Sequence, residues 1–73
     1  MKYKKYEDFS QVHEHQDVKL ITDDQDWSGN VGVVERVVNT EDDCHMAIIF
    51  CIEKPDTRYF VFPWNLDSIV MVK

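Results

Sequence analysis

Seventy-three residues make one small domain, near the lower limit for a chain held by its own hydrophobic core. Hydrophobic residues are 44% of the chain, enough for a core, but fourteen acids against eight bases leave a net charge of −6. Three of the bases lie in MKYKK, so from Tyr6 onward five bases face fourteen acids and the body carries −9, which repels phosphate backbones and disfavours nucleic-acid binding through a basic face.

Residues 1–16, MKYKKYEDFSQVHEHQ, are read as an N-terminal extension and residues 17–73 as the folded body. In the extension Tyr6, Phe9, Val12 and His13 fall at helical spacing, so the expectation is either one helical turn or short helix from about Tyr6 to His13, or disorder. From Asp17 the pattern turns β. DVKLIT is a short strand, DDQDWSGN a polar loop, and VGVVERVV a β-branched strand alternating around Glu35 and Arg36. After the turn cluster NTEDD, CHMAIIFCI is a near-continuous apolar strand. EKPDT closes a hairpin into RYFVF, PWNLD makes a single turn, and SIVMV is the last strand. The expected fold class is therefore all-β, with five strands and no core helix.

The stretch DQDWSGNVGVVE, residues 24–35, also matches the twelve-residue calcium-loop pattern, with Asp24, Asp26, Ser28, Gly29 and Glu35 at the ligand and turn positions. A calcium loop needs an entering helix, and Gln16, Lys19, Leu20 and Asp23 supply one apolar residue where four are required. A β reading also separates Glu35 from Asp24. The expectation is a solvated acidic loop, with no metal site. His13, His15, Cys44, His45 and Cys51 form no zinc-type pair. On one strand Cys44 and Cys51 lie roughly 24 Å apart at ~3.4 Å per residue and on opposite faces, which excludes a disulfide between them and suits a reducing compartment. Cys44 and His45 point apart on a strand, and so small a chain encloses little cleft, so no catalytic residues and no cofactor are expected. No apolar run reaches the length of a membrane span and the N-terminus has no apolar signal core; the expected location is the cytoplasm, with no membrane partner.

The order strand, long acidic loop, strand, short loop, strand, tight hairpin, strand, one-turn helix, strand resembles the SH3-like small barrel over residues 17–72. DWSGNVGVVERV is similar to the W-x-G-x-x-G-x-V stretch of KOW and mind-bomb-type SH3-like domains, whose relatives include small proteins of bacteria and their prophages. The resemblance implies a five-stranded SH3-like barrel. It does not bring the peptide site of true SH3 domains, because DVKLIT lacks the corresponding tyrosines and no Trp opens the third strand.

The aromatic residues and the acidic loop carry the functional expectation. Trp27, Asp23, Asp24, Asp26, Tyr59 and Trp64 are the candidate partner-binding residues of a non-enzymatic interaction or regulatory module. Acidic charge would steer a basic protein partner and an aromatic ring would anchor it. Trp27 is either that exposed anchor or a residue folded back over the barrel end. Trp64 is either part of the surface or a plug in the barrel bottom. Three successive strands are apolar on both faces, and the excess lies under Tyr6, Phe9 and Val12, on a partner or self-association surface, or inside a strongly bent barrel. The alternatives to a basic protein partner are a KOW-like nucleic-acid association and a structural homodimer.

Overall fold

The computed structural model describes residues 2–39 and 45–73. Its strands are β1 Tyr3–Lys5, β2 Asp17–Leu20, β3 Val31–Asn39, β4 His45–Cys51, β5 Tyr59–Val61 and β6 Ile69–Val72. Two 3₁₀ segments, Phe9–Gln11 and Pro63–Ser68, lie between β1 and β2 and between β5 and β6. The chain is all-β, as its alternating and β-branched runs dictate. Every ladder is antiparallel, and the order across the sheet is β1-β6-β2-β3-β4-β5.

Two expectations are corrected. Among the described residues there are six strands rather than five, because the segment read as a helix or as disorder begins with β1, which pairs Tyr3–Lys5 with Val70–Val72. YKK carries no period-2 apolar signal and all three residues are exposed, so backbone pairing on the edge of β6, invisible to a hydrophobic pattern, makes this strand. Of the alternatives for Tyr6–His13, the single helical turn is the one found, as the 3₁₀ turn Phe9–Gln11. The sheet is also not closed: β1 and β5 are its two edges. No helix among the described residues is long and apolar enough to cross a membrane. Cys44 lies outside the described residues, as does most of the NTEDD cluster; Cys51 is a free, buried thiol, pushed up in pKa by that burial and then by the charge of Glu53.

A bulge in β3 decides which side chains go inside. Pairing runs Val34↔Ile49 and then Arg36↔Ile48, so Glu35 is the extra residue. Directly opposed residues share a face. Without the bulge Val34 and Val37 would point to opposite sides; with it both turn inward, opposite Ile49 and Ala47. The core comprises Val18, Leu20, Val34, Ala47, Ile49, Cys51, Val61 and Ile69, together with Tyr6, Phe9 and Val12. At roughly 1.5–3 kcal/mol per fully buried large aliphatic side chain, Leu20, Ile49 and Ile69 are among its main stabilising contacts. The N-terminal segment thus covers the inner face of the sheet, one of the three places expected for the surplus apolar surface.

Gln16 fastens that cover. Its Oε1 accepts from Tyr6 OH at 2.7 Å and from His13 N–H at 3.0 Å, and its Nε2 donates to Gln11 C=O at 3.1 Å. Its own C=O accepts from Val34 N–H at 2.9 Å, so the segment is tied to β3. His15 turns the chain into β2 with a positive φ of 73°, a left-handed conformation that costs roughly 1–2 kcal/mol in a non-glycine residue. Its N–H donates to Val34 C=O at 2.7 Å.

Two variants test this arrangement. A Cβ on Gly32 would stand 2.5 Å from the Phe50 carbonyl oxygen and 2.8 Å from Cys51 Sγ, and backbone cannot yield as a side-chain tip can. Gly32→Ala is expected to destabilise by about 1–3 kcal/mol, read as a lowered urea midpoint. Burial pushes the Tyr6 hydroxyl from 10.0 up to about 12. The folded state therefore holds that proton more tightly than the unfolded chain. The stabilisation is complete below pH 10 and is lost as pH rises toward about 12. Tyr6→Phe should cost about 1 kcal/mol at neutral pH through the lost Gln16 bond and flatten the decline in stability above pH 10.

Candidate functional site

The acidic loop between β2 and β3 is a built turn. Leu20 and Asn30 close it, with Leu20 N–H donating to Asn30 C=O at 2.9 Å and Gly29 N–H to Leu20 C=O at 2.8 Å. Gly29 takes φ 86°, the left-handed region that favours glycine. Asp24 organises the interior: its C=O accepts from Trp27 and Ser28 N–H, and its Oδ1 accepts from Asp26 N–H at 3.0 Å. The calcium-like letters therefore serve a turn. Glu35 stands elsewhere, its Oε2 2.8 Å from Arg58 Nε. Among the described residues no three His, Cys, Asp or Glu side chains are grouped to hold a metal ion.

Pairing of β2 with β6 sets Leu20 opposite Ile69, which brings the acidic loop beside the second 3₁₀ segment. Ile21 N–H donates to Ser68 C=O at 2.8 Å and holds the two together. Asn65 positions that segment against β5: its Oδ1 accepts from Phe62 N–H at 2.6 Å and its Nδ2 donates to Phe60 C=O at 3.5 Å. In this way the carboxamide occupies part of the free edge of β5, a protection that edge strands need.

A cleft of about 260 Å³ opens between the loop and the turn, lined by Ile21, Thr22, Asp23, Tyr59, Asn65, Asp67 and Ser68. It contains two carboxylates, one phenol ring and no basic side chain. Tyr59 forms part of its wall and Trp27 braces Tyr59 from behind, the rings 5.5 Å apart at 59°. Trp27 is half-buried and packed on the core, and the Lys54 ammonium lies 5.5 Å from its ring centroid, a cation–π contact within the chain itself.

Of the six residues singled out from sequence, Asp23 and Tyr59 line this cleft and Trp27 touches it through Tyr59. Asp24 and Asp26 are exposed on the loop but belong to its turn. Trp64 is not a plug: it is 71% exposed and stacks on Phe62 at 4.7 Å and 4°, outside the cleft lining. Asp67, Asn65 and Ile21 were missed. Their membership follows from the pairing of β2 with β6, and the only local sign was the polar turn PWNLD. A second cavity, of about 310 Å³, lies where Phe9 stacks on His45, between Asp8, Ser10, Val12 and Val37. The Nδ1 of His45 there is already engaged with Asn39 Oδ1.

The different burial of the two tryptophans gives a direct check. Trp27→Ala is expected to destabilise by about 2–3 kcal/mol, and Trp64→Ala by about 1 kcal/mol or less, in urea melts followed by circular dichroism. Equal losses would contradict this placement.

No protein-family model matches the chain, and searches of curated proteins and of solved structures return no significant match.

Proposed function

We propose that this chain is an SH3-like, non-enzymatic interaction module whose acidic cleft receives a basic segment of a protein partner. The order β6-β2-β3-β4-β5 within residues 17–72 supports the SH3-like reading. So do the long acidic loop after β2 and the 3₁₀ turn before β6. The observation that carries the function is the cleft itself: Asp23 and Asp67 line it together with Tyr59, and none of its lining residues is a cation.

The size of the cleft favours a side chain over a cofactor. About 260 Å³ falls just below the roughly 300–1,000 Å³ of small-molecule sites, and suits one Arg or Lys whose stem lies on Tyr59 and Ile21. The charge of the body adds long-range attraction, which speeds encounter more than it tightens the complex. Exposed ion pairs contribute only ~0.2–1 kcal/mol each, so the affinity belongs in the micromolar to millimolar range.

The test is an NMR titration with a short peptide in which two Arg flank a Leu. Shifts are expected at Tyr59, Asn65 and the residues from Ile21 to Asp23, weakening as salt rises. The double change Asp23→Asn with Asp67→Asn should weaken binding by about two- to thirtyfold, the loss of two exposed ion pairs at ~0.2–1 kcal/mol each. Undisturbed resonances at those positions at millimolar peptide, or equal binding by the double variant, would sink the proposal.

A further inference from the structure

The polar groups of the acidic cleft divide into those already used and those left open. Asn65 spends its carboxamide on Phe62 N–H and Phe60 C=O. Ser68 Oγ donates to Asn65 C=O at 2.7 Å, and Thr22 Oγ1 accepts from Asp24 N–H at 3.4 Å. The side chains of Asp23 and Asp67 make no hydrogen bond or ion pair among the described residues. They stand on separate segments, the loop after β2 and the turn Pro63–Ser68, which the bond from Ile21 N–H to Ser68 C=O holds together at 2.8 Å. The cleft therefore leaves open two carboxylates on two segments, with the Tyr59 ring in the same lining.

Elsewhere in the chain the two kinds of cation treat such groups differently. Arg58 lies 4.7 Å from the Phe50 ring centroid and also serves four acceptors. Its Nε donates to Glu35 Oε2 at 2.8 Å, its Nη2 to Glu35 Oε1 at 3.5 Å, and its Nη1 to the Pro55 and Thr57 carbonyls at 2.9 Å. Lys19 and Lys54 lie 5.0 Å and 5.5 Å from the ring centroids of Tyr3 and Trp27. Neither lysine meets a carboxylate among the described residues. A flat guanidinium gives its face to a ring and its edge donors to acceptors around it, whereas an ammonium is a compact and strongly hydrated charge.

We propose that the cleft is selective for arginine, whose guanidinium bonds Asp23 and Asp67 together, over lysine. Selectivity of this kind rests on the cleft being the seat of a basic segment, as proposed above, and names which base it takes. Carboxylates on two segments suit a donor group with two edges. A guanidinium spreads its N–H groups over two edges in one plane, while an ammonium concentrates its donors on one atom. Asp23 and Asp67 are exposed, so water competes for the ligand, and the weakly hydrated guanidinium loses less by leaving it for the Tyr59 ring. The charge of the body attracts both bases alike and does not choose between them.

Three peptides of equal charge test this in NMR titrations of the full chain. They are Arg-Leu-Arg, Lys-Leu-Lys, and Arg-Leu-Arg with each guanidinium asymmetrically dimethylated, which keeps the charge and removes two of its five N–H donors. Read at Tyr59, Asn65 and residues 21–23, the Arg peptide should bind about threefold to tenfold tighter than the Lys peptide. The dimethylated peptide should fall to the level of lysine. The advantage of arginine should vanish in the double variant Asp23→Asn with Asp67→Asn, which changes two exposed positions and whose fold is checked by circular dichroism. Equal or tighter binding of the Lys peptide would overturn the selectivity and leave the cleft as a seat for either base. Dimethylated peptide bound as tightly as the unmodified one would overturn it as well, and so would an arginine advantage that survives in the double variant. Undisturbed resonances with all three peptides at millimolar concentration would remove the basic seat and its selectivity together.

Discussion

Covering the inner face of an open antiparallel sheet is the constraint on which this molecule depends. A chain of 73 residues with no core helix among the described residues must bury that face with whatever lies outside the strands. It does so with three residues, Tyr6, Phe9 and Val12, set on a segment with one 3₁₀ turn. Gln16 holds the segment by side-chain bonds to Tyr6, His13 and Gln11, and by its backbone to Val34. The bulge at Glu35 is the other half of the same solution, because it turns Val37 inward to meet this cover.

The two ends and the two faces of the sheet divide the remaining chemistry. Among the described residues most carboxylates lie outside the strands, where water solvates them and where their field extends outward. The outer face of β3–β5 is largely apolar. Between loop 21–30 and turn 63–68 the chain leaves a small cleft with carboxylates and an aromatic wall. Tyr59 joins these parts: it packs on Trp27 and the core and also lines the cleft. A change at Tyr59 therefore touches both the core packing and the cleft wall, whereas Asp23 and Asp67 line the cleft from exposed positions.

Much of the strand content was legible because five of the strands carry period-2 or continuous apolar patterns. CHMAIIFCI and SIVMV name their own inner and outer residues once alternation is assumed. What failed did so for identifiable reasons. β1 has no apolar pattern and is recruited through its backbone. The helical spacing of Tyr6, Phe9 and Val12 was correct as a statement about burial and gives one 3₁₀ turn rather than a longer helix, since three residues that pack on a sheet need not lie on a continuous helix. Trp64 had two readings, surface or plug, and local pattern could not choose; its ring lies at the surface, flat on Phe62.

By itself the sequence determined the all-β class, the strand positions from Asp17 onward and the acidic character of the loop at 23–26. These follow from local periodicity and composition, which act within a few residues. Only the tertiary structure decided that Asp67 joins Asp23, that Glu35 pairs with Arg58 rather than with the acidic loop, and which apolar face is covered. Each of those depends on strand pairing between distant segments and on a one-residue shift in register. The residues concerned are 23 to 44 positions apart in the chain, and no local pattern records which of them the folded sheet will set side by side.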